Sequence, residues 1–239
     1  MNAAVQLYSL RDLDRPLPDL LDLVAETPLG GVELAGLGDA SHEPLAAALE
    51  RTGLEAVAAH VPLATLETDP ASVTGAYRRL GCGTLVVPWL DPEAFATEAA
   101  VDRVAARLST VTRGLDDIDL AYHNHDQEFV ALTDEDAYDR LVGALEGVSL
   151  ELDVGWATAA GRDPVAVLER YASSIDLVHL KDVDGDRPCA LGRGDVPLEA
   201  CVDAARAAGV EWVIYEHDDP ADPLAALRRD ADTLVSLLE

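Results

Sequence analysis

The amino-acid sequence predicts an α/β fold: a single (β/α)8 barrel of the TIM type that spans residues 1–239 as one domain. First, short β-rich runs alternate with amphipathic helical stretches along the chain, which is the pattern of βα units around a parallel sheet. Second, eight such units in 239 residues give a mean repeat of about 30 residues, which suits a compact barrel. Third, no GxGxxG motif follows the first strand, which disfavours a doubly wound sheet.

Each predicted element has a local signal. The predicted strands are residues 3–9, 31–34, 55–60, 84–88, 118–123, 149–153, 175–180 and 212–216. The predicted helices carry Ala, Leu, Arg and Glu at helical spacing and are residues 17–26, 42–52, 71–80, 93–115, 134–145, 164–173, 197–208 and 220–238. Prolines lie at or near helix starts, and Gly30, Gly53, Gly81 and Gly209 follow helix ends, where a left-handed residue is expected.

The composition is strongly acidic. The formal charge is −28 at pH 7, and Lys181 is the only lysine among 17 basic residues. Self-repulsion of this size destabilises a compact protein unless salt screens it, so the composition favours a halophile's cytoplasm over the alternative, an acidic mesophilic protein. Nucleic-acid binding is disfavoured because clustered Lys and Arg are missing.

Membrane and secretory signals are not found in the sequence. There is no run of eighteen apolar residues, and no basic region precedes an apolar segment at the N-terminus. Cys82, Cys189 and Cys201 are odd in number and lack CxxC spacing, so we expect reduced packing residues rather than disulfides or a zinc knuckle. These features predict a soluble, cytoplasmic protein with no membrane partner.

Polar side chains follow the apolar part of many predicted strands. Because a (β/α)8 barrel builds its site at the carboxyl ends of its strands, these side chains should converge. His123, Asp153, His179 and Glu216 come from the last four strands. Two imidazoles and two carboxylates suit a divalent ion of the Mn, Co, Fe, Zn or Ni kind better than calcium. The alternative is structural: buried histidines bonded to carbonyls, an aspartate cap and a Glu–Arg pair.

The segment of residues 175–182 carries the most informative polar residues. Alternation along a strand puts Ile175, Leu177, His179 and Lys181 on one face, so an imidazole and an ammonium emerge together at its end. The position of the only lysine at the end of this strand favours a catalytic role for Lys181 over a role as surface charge. Asn124 and Asp182, which lie beside candidate ligands, are expected to hold the ligand rings in place.

Other strand-end residues have two readings of similar weight. Tyr8, Trp89 and Trp156 either stack on a sugar ring or pack. Glu33 and His60 either line the pocket or support its wall. The aspartate-rich residues 218–222 are expected to be solvated surface.

The motifs together resemble a known family, the sugar phosphate isomerase/epimerase superfamily of xylose isomerase-like TIM barrels, which includes inosose dehydratase. The matching stretches, in chain order, are VQLYSLRD (5–12), GVELAGL (31–37), AAHVPL (58–63), AYHNHDQEF (121–129), ELDVGWATAAGRDP (151–164), VHLKD (178–182), LGRGDVP (191–197) and WVIYEHD (212–218). Each is weak alone. Their colinearity over nearly the whole chain identifies the resemblance.

The resemblance implies a divalent metal held at the ends of strands five to eight. Asp153, His179 and Glu216 match three ligand positions directly. At the fourth, this chain has His123 in HNH where many relatives have a glutamate in an ENH-like motif that also moves a proton. Manganese is our first choice of metal, with cobalt, iron, zinc, nickel and magnesium as alternatives. The HNH motif weakens the expectation of a symmetric epimerase mechanism with two glutamates.

The expected chemistry is enediolate formation on a sugar. Glu216 is the candidate base, His125 or Glu128 the second proton carrier, and Lys181 the group that polarises the carbonyl or stabilises the anion. Arg193, Trp156, His60, Tyr8 and Glu128 are the candidate substrate-binding residues.

The leading hypothesis is a metal-dependent isomerase or epimerase of a small sugar, sugar phosphate or keto-polyol. A dehydratase or lyase of the inosose or 3-keto-sugar type is the main alternative. An abasic-site nuclease and a non-catalytic sugar-binding barrel are weaker ones, and a homo-oligomer is left open.

Overall fold

The computed structural model describes residues 1–38 and 41–239. In this part of the chain eight parallel strands form a closed barrel, in which each strand pairs with its neighbours in sequence and the last closes on the first. The (β/α)8 prediction is therefore confirmed. The barrel strands are β1 (Asn2–Gln6), β2 (Gly31–Leu34), β3 (Glu55–His60), β4 (Thr84–Val87), β5 (Asp119–His123), β6 (Ser149–Asp153), β7 (Ile175–Leu180) and β10 (Trp212–Tyr215).

Helices surround the barrel, and a short hairpin extends beyond β7. The helices are α1 (Leu17–Ala25), α2 (His42–Thr52), α3 (Leu63–Thr68), α4 (Pro70–Arg78), α5 (Glu98–Thr112), α6 (Ala137–Ala144), α7 (Val154–Ala159), α8 (Pro164–Arg170), α9 (Leu198–Ala208) and α10 (Pro223–Leu238). Single 3-10 turns cover Leu7–Leu10, Pro92–Ala94 and Gln127–Phe129. The hairpin consists of β8 (Asp182–Asp184) and β9 (Arg187–Cys189), which pair antiparallel. No helix among the described residues is both long and apolar enough to cross a membrane.

The inside of the barrel has an apolar floor with polar layers above it. The floor is a separate cluster of buried side chains, formed by Ala4, Ala58, Val86, Ala121, Leu177 and Ile214. Because side chains alternate along a strand, the residue two positions later points the same way. Five of the six later positions are polar, namely Gln6, His60, His123, His179 and Glu216, and the sixth is Pro88. On five of these six strands the inward-facing residues therefore change from apolar to polar toward the carboxyl end.

The structure differs from the predicted elements in a few places. The first strand ends at Gln6 instead of continuing to residue 9, because the Gln6 side chain accepts a hydrogen bond from the Tyr8 backbone N–H at 2.9 Å and starts a 3-10 turn. The helix predicted at 93–115 is divided, since Thr97 caps a new helix start at Glu98. Helices α3 and α7 and the hairpin were not predicted. Gly53 and Gly209 are left-handed helix caps as expected, whereas Gly30 is not.

Candidate active site

Four side chains converge at the carboxyl end of the barrel. The four predicted ligands, His123, Asp153, His179 and Glu216, each offer a nitrogen or oxygen, and these atoms all lie within 4.8 Å of one another. Nδ1 of His179 is 3.1 Å from Oε2 of Glu216, and Nε2 of His123 is 3.9 Å from Oδ2 of Asp153. Atoms bound to one ion at about 2.1 Å are separated by about 3–4 Å, so this spacing is compatible with a shared divalent ion. We call these four residues the upper set.

Local structure positions the members of the upper set. His123 is the last residue of β5, and Asp153 ends β6 and caps α7 by accepting a hydrogen bond from the Trp156 backbone N–H at 2.8 Å. That bond uses Oδ1 of Asp153, while its buried Oδ2 forms an ion pair with the Lys181 ammonium at 3.1 Å. Two buried carboxylates and two imidazoles whose ligand atoms converge are a donor set that divalent transition-metal ions take. The residues present therefore fit a divalent ion.

Lys181 supplies a positive charge next to the upper set. Its ammonium lies 3.1 Å from Oδ2 of Asp153, 3.0 Å from Oε2 of Glu216 and 2.6 Å from Oδ2 of Asp218. It also lies 4.7 Å from the centre of the Trp156 ring. Burial disfavours the charged amine, but the three carboxylates outweigh it and raise the pKa of Lys181. The lysine is therefore charged although its side chain is fully buried.

The carboxylates of the upper set differ in their ionisation. Burial opposes ionisation of Glu216, but Lys181 and His179 outweigh it and hold the pKa of Glu216 well below its usual range. Burial raises the pKa of Asp153 to about 6 against the opposing pull of Lys181. Burial keeps the pKa of His123 well below its usual range, so this imidazole is neutral and has a lone pair for a ligand bond.

A second polar layer lies directly beneath the upper set. Oε2 of Glu151 is 2.9 Å from Nδ1 of His123, 3.0 Å from Nε2 of His60 and 3.2 Å from Nε2 of His179. Oε2 of Glu33 is 2.6 Å from Nε2 of His179 and 3.3 Å from Nε2 of His60, and it accepts a hydrogen bond from Gln6 at 2.8 Å. We call Glu33 and Glu151 the lower carboxylates. Both are fully buried.

The lower carboxylates also affect His60. Burial disfavours its charged form, but Glu33 and Glu151 outweigh burial and raise the pKa of His60 to about 10. A second group of potential ligand atoms is thus formed by His60, His123, Glu151 and His179. This second group shares the rings of His123 and His179 with the upper set. A ring nitrogen that donates a hydrogen bond to Glu151 has no lone pair for a metal, so the upper set is the better candidate for the metal site.

An open pocket of about 670 Å3 lies above these layers. This volume is typical of small-molecule sites, which span about 300–1,000 Å3. Its lining includes the predicted site residues Tyr8, His60, His123, His125 and Glu216, together with Trp89 and Asp218. The expectation that residue 218 is solvated surface is wrong, because Asp218 pairs with the buried Lys181 and faces this pocket.

His125 and Trp156 form a stacked pair beside the pocket. Their ring centroids are 5.5 Å apart with an interplanar angle of 27°, and His125 meets the His123 ring edge-on at 5.1 Å. Burial, with a contribution from Lys181, lowers the pKa of His125 to about 3. Trp156 therefore contacts the proposed proton carrier and the lysine, and it is half-buried.

Two predicted substrate contacts are placed elsewhere. The Glu128 carboxyl is fully buried and accepts hydrogen bonds from the Tyr122 hydroxyl at 2.5 Å and from the His125 backbone N–H at 2.9 Å. Glu128 is not among the residues that line the pocket, and its role in substrate contact or proton transfer stays a prediction. Arg193 is an exposed residue of the loop after the hairpin and does not line this pocket either.

Asn124 and Asp182 also act differently from the prediction. Asn124 bridges β5 to β6 by exchanging two hydrogen bonds with the backbone of Asp153, at 3.0 and 3.2 Å. Asp182 accepts hydrogen bonds from the backbone N–H groups of Arg193 at 3.0 Å and Gly194 at 2.9 Å, and so anchors the loop. Both residues hold backbone rather than ligand rings. The groups that contact the rings are the lower carboxylates.

Sequence reasoning missed Glu151 and left the role of Glu33 open. A signal for Glu151 was present, because it precedes Asp153 by two residues in the same strand and therefore shares its inward face. Glu33 likewise lies on the face of its strand, β2, that points into the barrel. Neither residue could be assigned to particular imidazoles, since those contacts join strands from distant parts of the chain.

The chain is similar to curated proteins over part of its length. A segment of 80 residues is 42% identical to the rhizopine catabolism protein MocC of Rhizobium meliloti and covers 33% of this chain and 24% of that protein. A segment of 125 residues is 35% identical to an inosose dehydratase of Geobacillus kaustophilus and covers 43% of this chain and 40% of that enzyme. The matched segments thus span less than half of these curated relatives.

Solved structures and a family model cover more of the chain. The crystal structure of a sugar phosphate isomerase/epimerase from Parabacteroides distasonis superposes with a TM-score of 0.85 at 19% identity and covers 100% of this chain and 96% of that one. At this identity the likeness shows the fold alone. The family model described as xylose isomerase-like TIM barrel matches residues 21–237. With that match across most of the barrel, the chain belongs to the xylose isomerase-like TIM barrel family.

Proposed function

We propose that this protein is a divalent-metal-dependent isomerase or epimerase of a small sugar, sugar phosphate or keto-polyol, and that it acts through an enediolate. The observation that carries the proposal is the position of Glu216. Its carboxylate belongs to the upper set and also lines the open pocket, so one ionised group faces both the ion and the substrate. A carboxylate in that position can accept a proton from a carbon bound to the substrate carbonyl.

The upper set would hold the ion through His123, Asp153, His179 and Glu216. When bound there, a divalent ion supplies Lewis acidity that acidifies the C–H between a carbonyl and a hydroxyl group. Glu216, held ionised by Lys181 and His179, takes the proton. The Lys181 ammonium, 3.0 Å from Glu216, favours the negative charge that then develops on the substrate oxygen.

His125 is the proposed second proton carrier. It lines the pocket beside His123, and its buried Nδ1 has no hydrogen-bond partner among the described residues. Since burial lowers its pKa to about 3, His125 is neutral until an anionic intermediate lies next to it. Return of the proton from Glu216 to the neighbouring carbon gives isomerisation. In epimerisation Glu216 keeps the abstracted proton, and His125, after taking up a proton from solvent beside the anionic intermediate, delivers it to the opposite face of the same carbon. The proposed substrate contacts are Tyr8 and His60, which line the pocket, and Trp156, which stacks on the pocket residue His125.

A dehydratase or lyase of the inosose or 3-keto-sugar type is the second candidate. It shares the proton abstraction, after which a β-hydroxyl or glycosidic oxygen leaves with a proton. Two observations favour it: the partial matches to inosose dehydratase, and His123 at the end of β5, where a glutamate base would support the symmetric epimerase mechanism. The two candidates differ in whether the product retains the mass of the substrate.

The test is metal analysis followed by reaction with ketoses, inososes and 3-keto-sugars in deuterated water. We expect one divalent ion per chain and deuterium incorporation into at least one substrate. A product of unchanged mass supports the isomerase, and loss of water or of an alcohol supports the dehydratase or lyase. If a folded, metal-loaded sample exchanges no deuterium across the panel, proton abstraction is excluded as the function.

The ion and compartment are part of the same proposal. Manganese is the proposed ion because the upper set mixes imidazole and carboxylate donors, and cobalt, iron, zinc, nickel and magnesium are the alternatives for the metal analysis. A salt-rich cytoplasm is the proposed compartment, supported by the charge of −28 and by three free cysteines.

A further inference from the structure

The two imidazoles of the upper set each have one nitrogen directed up and one directed down. On His123, Nε2 lies 3.9 Å from Oδ2 of Asp153, while Nδ1 lies 2.9 Å from Oε2 of Glu151. On His179, Nδ1 lies 3.1 Å from Oε2 of Glu216, while Nε2 lies 2.6 Å from Oε2 of Glu33 and 3.2 Å from Oε2 of Glu151. Each ring therefore connects the upper set to the lower carboxylates.

A carboxylate can only accept a hydrogen bond from a ring nitrogen that carries a proton. Glu151 thus selects the His123 tautomer with its proton on Nδ1, and this choice leaves the lone pair on Nε2, facing Asp153. On His179 both nitrogens face carboxylates in the metal-free protein, and Glu33 and Glu151 hold the proton on Nε2, so Nδ1, which faces Glu216, is the nitrogen that an ion in the upper set would take. Carboxylates that hold the remote nitrogen of a ligand histidine fix both the tautomer and the orientation of the ring.

We propose that Glu151, through His123 and His179, and Glu33, through His179, are positioning residues that set the metal affinity of the upper set. This inference rests on the proposed metal site. Glu151 should matter more, because its Oε2 contacts both rings whereas Glu33 contacts one of them.

The burial of the lower carboxylates indicates that these two glutamates are present for a function rather than for stability. Both glutamates are fully buried, and burying a carboxylate carries a desolvation penalty that ion pairing only partly offsets. Apolar side chains would fill the same layer at lower cost, as they do in the floor beneath it. Selection for stability alone does not account for the two acids.

The test compares three isosteric substitutions at fully buried glutamates: Glu151→Gln, Glu33→Gln and, as the matched control, Glu128→Gln. Glu128 contacts no ring of the upper set, since its partners are the Tyr122 hydroxyl and a backbone N–H. Mn2+ binding is measured by calorimetry on protein stripped of metal. We expect Glu151→Gln to weaken binding roughly 10–100-fold, Glu33→Gln to weaken it less, and the control to change it less than about 3-fold.

A second readout needs no metal. Long-range 1H–15N spectra of the stripped protein report which nitrogen of each of the six histidines is protonated. We expect His123 protonated on Nδ1 in the wild type and a shift of the proton toward Nε2 in Glu151→Gln. Unchanged His123 signals in a folded Glu151→Gln protein would overturn the inference, whether or not the wild type binds metal.

The outcomes separate this inference from the proposed function. If the wild type binds no divalent ion, the proposed function fails, while the histidine spectra still test the positioning role. If Glu151→Gln does not fold, Glu33→Gln tests the positioning role through Mn2+ affinity, and an affinity equal to that of the Glu128→Gln control would overturn it. If Asp153→Asn leaves Mn2+ affinity unchanged while Glu151→Gln abolishes binding, the ion lies among His60, His123, Glu151 and His179, and Glu151 is a ligand rather than a positioning residue.

Discussion

The ammonium of Lys181 lies 3.0 Å from Oε2 of Glu216, and both groups are buried at the carboxyl end of the barrel. The only lysine of the chain thus occupies the space next to the proposed metal ligands. It neutralises part of the charge of the surrounding carboxylates, and it would compete electrostatically with a divalent ion that binds them. Lys181 consequently links the stability of the metal-free protein, the metal affinity and the chemistry.

Lys181→Met should therefore change metal affinity and stability in opposite directions. Without the ammonium, the buried carboxylates of Asp153, Glu216 and Asp218 lose their cation, which should lower the free energy of unfolding of the metal-free protein by about 3 kcal/mol. The same loss of positive charge should tighten Mn2+ binding by roughly 10-fold or more. Turnover should fall by at least about 100-fold, because the developing anion is no longer stabilised.

The measurements are urea unfolding of the stripped protein and calorimetry with Mn2+. Arg229→Met is the matched control, since Arg229 pairs with the buried Asp230 at 2.7 Å, away from the upper set. Its metal affinity should equal that of the wild type. Weaker Mn2+ binding in Lys181→Met would contradict the competition described above.

Gly155→Ala should disturb Lys181 without changing any charge. A Cβ at residue 155 would lie 2.9 Å from Cγ of Lys181, which is closer than real contacts allow, and 3.1 Å from its carbonyl oxygen, which is tighter than most real contacts. We expect a loss of about 1–3 kcal/mol in unfolding free energy and a lower turnover. Gly75→Ala in α4 is the control, because a Cβ there meets nothing within 4 Å. It should be neutral or stabilising by up to about 1 kcal/mol. If the two variants have equal unfolding free energies and equal turnover, the close approach between Gly155 and Lys181 is unimportant.

Glu128 should make folding stability depend on pH. Burial, opposed by the hydrogen bond from Tyr122, raises the pKa of Glu128 from 4.5 to about 7. The folded state then binds more protons than the unfolded state between these values, so this contribution to stability is full below about pH 4.5 and is lost as the pH rises through about 7. The difference in unfolding free energy between the wild type and Glu128→Gln should change by about 3 kcal/mol over this window. Urea titrations at several pH values measure it, and a constant difference would show that the carboxyl is ionised throughout.

The negative charge should make stability depend on salt. Raising KCl from about 0.1 M to about 2 M shortens the screening length and reduces repulsion within a chain of charge −28. We expect Tm to rise by at least about 4 °C, which corresponds to roughly 1–2 kcal/mol for a chain of this size. Sucrose at matched osmolality is the control, since it leaves screening unchanged. A Tm that does not respond to KCl would argue against adaptation to a saline cytoplasm.

The barrel and much of the upper set could be predicted because their signals are local. Alternation along β7 put His179 and Lys181 on one face, and the strand bounds 149–153 and 175–180 agree with the structure. Strand alternation could not place Glu128 and Arg193, which lie outside the lining of the pocket. Both lie beyond strand ends, where the path of a loop rather than strand alternation decides the direction of a side chain.

The sequence by itself determined which residues end each strand and point into the barrel, because side-chain direction has a period of two along a strand. Only the tertiary structure decided which of those residues meet. The contact between Glu33 and His179 joins positions 146 residues apart, and it depends on closure of the barrel and on the register of its strands. Contacts across a closed barrel are set by this geometry, so the pairing of the lower carboxylates with the ligand histidines, and of Lys181 with Glu216, could not be predicted from local patterns.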